Sequence, residues 1–204
     1  MTVLLTGYEP FGEHTNNPSE TLARDLDGER VSGREVVGRV LPVEFGRAGK
    51  ALETAIDEID PELVLSTGLA AGRSTVSVER VAINVTEAGE TPDNAGETPR
   101  NERIAPDGPD AYLATVPVVE WVETLLEAGI PARVSNTAGT HCCNHALYTA
   151  RRYTDAPAGF VHLPLTPEMA AERESTRAAA GGGAIPPSMP LDLQRRAVER
   201  LLDE

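Results

Sequence analysis

Apolar residues fall along this 204-residue chain in two alternating rhythms. Short continuous runs, Val3-Leu4-Leu5 and Leu63-Val64-Leu65, have the length and composition of strands buried on both faces. Val36 to Val43 alternates and is β-branched, which predicts a further strand, as do Ala132-Arg133-Val134 and Gly159 to Pro164. Between these runs the period changes to that of a helix. Asn17-Pro18-Ser19-Glu20 reads as a helix start, with Pro18 at the first position and Glu20 at the capping-box position, and the helix closes near Gly28. Gly46 to Ile59 places Ala48, Leu52, Ala55, Ile56 and Ile59 on one face. Pro117 to Ala128, Asn144 to Tyr153 and Leu191 to Leu202 complete the predicted helices. Residues 76 to 85 carry apolar side chains at 76, 78, 81, 83 and 85, one strand with Glu79 and Arg80 interrupting its alternation.

Strands that alternate with helices predict α/β architecture: a single domain over 1–204, a three-layer α/β/α sandwich around a largely parallel, mixed sheet. Two stretches stand outside the rhythm. Residues 86–111 are polar and rich in Gly, Pro, Asp and Asn, and read as a long loop: a flexible lid, an interaction loop or a partly ordered excursion. Residues 178–190 have the composition of a linker.

Charge narrows the partners. The net charge is -14 and Lys50 is the only lysine, which argues against nucleic acid or an anionic membrane as partner. Such a surface suits a cytoplasm with molar salt, and also an ordinary acidic protein. The opening MTVLLTGYEPFG lacks a basic n-region and reads as a first strand rather than a signal peptide, so a cytoplasmic location is expected. The two cysteines are adjacent and form no disulfide framework, in keeping with a reducing compartment.

Both cysteines lie in Ser135-Asn136-Thr137-Ala138-Gly139-Thr140-His141-Cys142-Cys143-Asn144, a strand exit that opens a helix. A thiol there meets unpaired N–H groups and the positive end of the helix dipole, which favour thiolate and can hold an oxyanion. One of the two is therefore a candidate nucleophile, against the alternative that both are small core residues. Such a nucleophile needs a base, and the base needs an orienting group. Of His14, His141, His145 and His162, the first choice is His162, which comes from a separate strand. Glu79 is either its orienting partner or the partner of Arg73 or Arg80 in an ion pair. Tyr8 and Phe11, in a loop after the first strand of a chain that is only 4 % aromatic, are either pocket walls or a plug over the core. GLAAGR (68–73) lacks the spacing of a nucleotide loop, and His141, Cys142, Cys143 and His145 lack the second ligand group of a zinc site, so no cofactor or metal is expected.

The segments TGYEPFG (6–12), NNPSE (16–20), GRVLPVEFG (38–46), GLAAGRS (68–74), VERVAIN (78–84), SNTAGTHCCN (135–144), GFVHLP (159–164) and IPPSM (185–189) resemble, in order and spacing, the pyroglutamyl peptidase I (pyrrolidone-carboxylate peptidase) family of cysteine peptidases. The resemblance covers essentially the whole chain. It implies Cys143 as nucleophile rather than Cys142, His162 as general base and Glu79 as its acidic partner, with Tyr8, Phe11, Asn17, Leu69, His141 and Cys142 binding substrate. It implies hydrolysis of the bond after an N-terminal pyroglutamyl residue of peptides, and a homodimer or homotetramer. The alternatives are a related thiol amidase with altered acyl specificity, or an inactive α/β scaffold. Three features depart from the family pattern: segment 86–94 is one residue longer and has no arginine before its Pro-Asp-Asn, His141 stands where an aromatic is common with Cys142 replacing an aliphatic residue, and Tyr8 stands where phenylalanine is usual.

Overall fold

A computed structural model describes residues 1–172 and 185–203. The predicted 178–190 linker falls mainly outside the described residues. In chain order the elements are β1 (Thr2–Tyr8), α1 (Pro18–Asp25), β2 (Arg30–Val31), β3 (Arg34–Leu41), α2 (Arg47–Ile59), β4 (Leu63–Leu69), β5 (Val76–Glu79), β6 (Val81–Ile83), β7 (Ala111–Leu113), α3 (Val118–Glu127), β8 (Ala132–Ser135), α4 (Cys142–Tyr153), β9 (Ala158–Leu163), α5 (Pro167–Glu172) and α6 (Leu191–Asp203). Seven strands form one sheet in the order β2-β3-β1-β4-β9-β5-β8. β3, β1, β4 and β9 run parallel, β5 is antiparallel to β9, and β8 is parallel to β5. The sheet is thus mixed, as the expected architecture requires.

The period-2 pattern of the strands sorts side chains between two cores. Val3, Leu5, Leu63 and Leu65 pack with α1, α3 and α6 on one face, whereas Leu4 and Val64 pack with α2 and α4 on the other. The same parity governs β9: Val161 and Leu163 join the first core, and Ala158 and Phe160 the second. His162 therefore points toward the α2/α4 face. In β5, Val76 and Val78 occupy the first core, which sends Ser77 and Glu79 to the face that His162 occupies.

Local chemistry fixes the helix ends. Asn17 caps α1, its side chain accepting from Ser19 N, with Pro18 following. Glu20 pairs with Arg24 one turn on rather than closing a capping box. Two short elements, β2 and α5, carry no distinct pattern in the sequence. The strand expected over 76–85 is two: β5 belongs to the main sheet, while β6 pairs with β7 in a separate two-stranded sheet, the chain turning at Arg80. Glu79 and Arg80 break the alternation because the chain changes sheets there.

The 86–111 stretch is a tethered segment rather than a loose lid. Asp93 is buried and accepts from the N–H groups of Phe45, Ala95 and Glu97. Asn94 donates to Glu9 Oε1 and Pro10 O, Thr86 bridges to Glu102, and the Asn84 amide holds both N and O of Ala105. Side-chain amides and a carboxylate replace regular pairing here, so the segment is ordered without any hydrophobic period. Among the described residues no helix is long and apolar enough to cross a membrane.

Candidate active site

The parallel strands β1, β4 and β9 deliver their C-terminal ends to one side of the sheet, where loops are free to build a site. A cavity of about 300 Å³ lies there, with Tyr8, Phe11, Leu69, His141, Cys143 and His162 in its wall.

Glu79 and His162 meet because of register. Glu79 faces Phe160 across the β5–β9 pair and His162 faces Ser77, so the two are diagonal neighbours on one face. Their side chains close the gap: His162 Nδ1 lies 2.7 Å from Glu79 Oε1. Both are buried, Glu79 at 0 % exposure and His162 at 5 %. Arg73, from the loop after β4, reaches the same Oε1 at 2.5 Å and extends its other nitrogen to Thr137 O at 3.3 Å. The two partners that the sequence offers Glu79 as alternatives are thus present together, while Arg80 turns away to Asn136. Among the described residues Glu79 Oε2 has no partner at bonding distance, and the Ser135 hydroxyl donates to Thr137 O.

Burial alone would raise the Glu79 pKa; the bonds to His162 and Arg73 and the neighbouring Ser135 hydroxyl outweigh it and hold the carboxyl below its ordinary value. An ionised Glu79 can only accept, so His162 Nδ1 carries the proton and Nε2 keeps its lone pair. Burial lowers the His162 pKa and Arg73 adds to this, while Glu79 opposes both.

Cys143 is positioned by a missing side chain. Gly68 is the β4 neighbour of His162, and a Cβ there would stand 2.8 Å from Cys143 Sγ and 2.9 Å from Phe160 Cζ. A glycine in the strand lets the thiol settle over the sheet beside the imidazole strand. α4 begins at Cys142, two residues earlier than its composition suggests, so Cys143 lies within the first turn. The first intrahelical bond is His145 N to His141 O, and the N–H groups of Cys142, Cys143 and Asn144 precede it. That turn is clamped by Asn144, whose side chain accepts from Ile83 N and donates to the carbonyls of Ile83 and Val85.

The surroundings of Cys143 act against the thiolate that the helix end favours. Burial, then the Glu79 charge, push its pKa up to about 12, against the lowering effects of Arg73 and of its own N–H. Desolvation and a like-sign neighbour exceed a half-unit helix charge.

The remaining expected site residues divide. Phe11, Leu69 and His141 stand in the cavity wall, and His141 packs on Phe45 at 4.5 Å while its Nε2 meets Thr91 O at 3.2 Å. Tyr8 contributes its ring, but its hydroxyl is occupied, donating to Cys142 O at 2.7 Å. Asn17 borders the cavity with its polar atoms consumed by Ser19 and Glu9 O. Cys142 is in the wall yet 2 % exposed, part of the second core. Gly68, Thr140, Asn144 and Glu87 join the site without having stood out in the sequence. A glycine inside an apolar strand is the available signal for the first; the others depend on contacts across the fold.

The family model described as pyroglutamyl peptidase matches residues 1–202. The chain belongs to this family. It is 41% identical over 204 residues to the pyrrolidone-carboxylate peptidase of Pyrococcus furiosus, covering 98% of this chain and 95% of the relative. It is 49% identical over 169 residues to that of Chromobacterium violaceum, covering 83% and 80%. A crystal structure of the Pyrococcus furiosus pyrrolidone carboxyl peptidase superposes with a TM-score of 0.92 at 39% identity, over 100% of this chain and 97% of that one. For a pyroglutamyl peptidase family member, the cavity offers a thiol, a carboxylate-bound imidazole and a helix start within one enclosure, the parts that acyl transfer needs.

Proposed function

We propose that this protein is a cysteine exopeptidase that hydrolyses the amide bond after an N-terminal pyroglutamyl residue of peptides. The observation that carries the proposal is the buried Glu79–His162 bond of 2.7 Å, with His162 and Cys143 lining one cavity. Cys143 is the nucleophile, His162 the general base and Glu79 the group that fixes its tautomer.

The chemistry follows from the charge states. The Cys143 proton passes to His162 Nε2 as sulfur attacks the pyroglutamyl carbonyl. Glu79 stabilises the resulting imidazolium. The N–H groups at the start of α4 receive the oxyanion, each such donor contributing roughly 2.7–4 kcal/mol of barrier lowering. His162 then gives its proton to the leaving amine, and water, deprotonated by His162, cleaves the thioester to release pyroglutamate. The lactam is flat and uncharged, and it suits an enclosure walled by Tyr8, Phe11, Val43 and Leu69. Assembly into a homodimer or homotetramer and a cytoplasmic location complete the proposal.

The test is release of a fluorescent amine from its pyroglutamyl amide, beside prolyl and glutamyl controls, with reductant present. Turnover confined to the pyroglutamyl compound, and reduced at least about 10⁴-fold in Cys143→Ser, is expected. Equal turnover of the prolyl or glutamyl compound would favour an amidase of different acyl specificity.

A further inference from the structure

One acidic residue, Glu87, lines the cavity, and among the described residues its side chain forms no ion pair. Among the lining residues Glu87 is the only acidic one, and no lysine or arginine stands beside it there. Glu87 is half-buried, and its side chain has no hydrogen bond or ion pair among the described residues. Its place is fixed by the backbone: Glu87 N donates to Thr140 O at 2.9 Å and Thr140 Oγ1 donates to Glu87 O at 3.0 Å, three residues before Cys143. The other charges nearby are spent. Arg73 is bound to Glu79 and Thr137 O, and Asp93 accepts from three backbone N–H groups.

A partly desolvated carboxylate without a partner favours a cation that a ligand brings. Taking the proposed activity as given, that cation is not at the substrate's N-terminus, because a pyroglutamyl residue has no ammonium. It lies in the leaving peptide. We propose that Glu87 is a specificity-determining residue that favours pyroglutamyl peptides whose second residue is basic and disfavours those whose second residue is acidic. The net charge of -14 acts in the same direction at long range.

The experiment compares kcat/KM for pyroglutamyl-lysyl, pyroglutamyl-alanyl and pyroglutamyl-glutamyl peptides of otherwise equal sequence, at low ionic strength, in wild type, Glu87→Gln and Glu90→Gln. The lysyl-to-glutamyl ratio is expected to be about tenfold in wild type. It should fall toward about two in Glu87→Gln, stay high in Glu90→Gln, whose exposed carboxylate is outside the wall, and shrink in molar KCl as the Debye length falls to about 3 Å. Turnover of the alanyl peptide with a lysyl-to-glutamyl ratio near one in wild type would overturn the role of Glu87 and leave the peptidase activity standing. A ratio that survives in Glu87→Gln would overturn it too, assigning the preference to another group. Absence of turnover of all three by folded wild type would remove both proposals.

Discussion

Two histidines differ in cover and in one partner, His162 buried and His145 half-buried. His162, at the end of β9, is buried with Nδ1 on a carboxylate. His145, one turn into α4 and packed at the α2 interface where a Cβ on Gly49 would stand 3.2 Å from its Nε2, has no partner for Nδ1 among the described residues. Burial lowers both, but with nothing to oppose it His145 falls to about 4, whereas Glu79 supports the protonated form of His162. The difference teaches what separates an imidazole that can serve as a base from one that only packs. Burial supplies the dry surroundings in which electrostatic help is strong, and the carboxylate decides whether the imidazole can still take a proton.

The sharpest way to break that contrast is to make His162 resemble His145. In Glu79→Gln the neutral amide neither stabilises the imidazolium nor enforces Nδ1–H, and Arg73 loses its carboxylate. A fall in kcat of about 10³-fold is expected, with KM for a pyroglutamyl arylamide changing much less. Retention of most of the activity would mean that His162 needs no partner.

The smaller effect lies at His145 and is one of stability. An unfolded histidine titrates near 6.5 and the folded one at about 4, so the unfolded chain binds the extra proton first as pH falls. The contribution is therefore complete above pH 6.5 and is lost as pH falls toward 4. In thermal melts between these values, His145→Gln should lose less Tm than wild type, by roughly 6–12 °C. Identical slopes would place the acid sensitivity elsewhere, in His162 among other groups.

How much of this is legible in the sequence depends on whether a feature is local. The alternation of Phe160 and His162 against Val161 and Leu163, the Asn17-Pro18 cap and the cysteine pair at a helix start are written in neighbouring residues. So are the layers of the fold, because short runs such as Val3-Leu4-Leu5, closed by Gly7, suit a strand between two cores. The order of 86–111 is not, since Asp93, Asn94 and Asn84 hold it through single polar contacts that leave no period. The split of 76–85 into two sheets shows only as a broken alternation at Glu79-Arg80. The forces that raise the thiol's pKa escape the sequence for an electrostatic reason: the helix end is visible there, but the Glu79 charge and the depth of burial that act against it come from β5 and β4.

The central claim is that Cys143, and not the neighbouring Cys142, is the reacting thiol. The most direct measurement is alkylation by iodoacetamide with the modified residue located by mass spectrometry while pyroglutamyl amide turnover is followed in the same samples. Modification at Cys143 alone, advancing in step with loss of turnover and slowed by bound pyroglutamate analogue, is the expected result. Full modification of Cys143 with turnover intact, or inactivation that tracks Cys142, would contradict it.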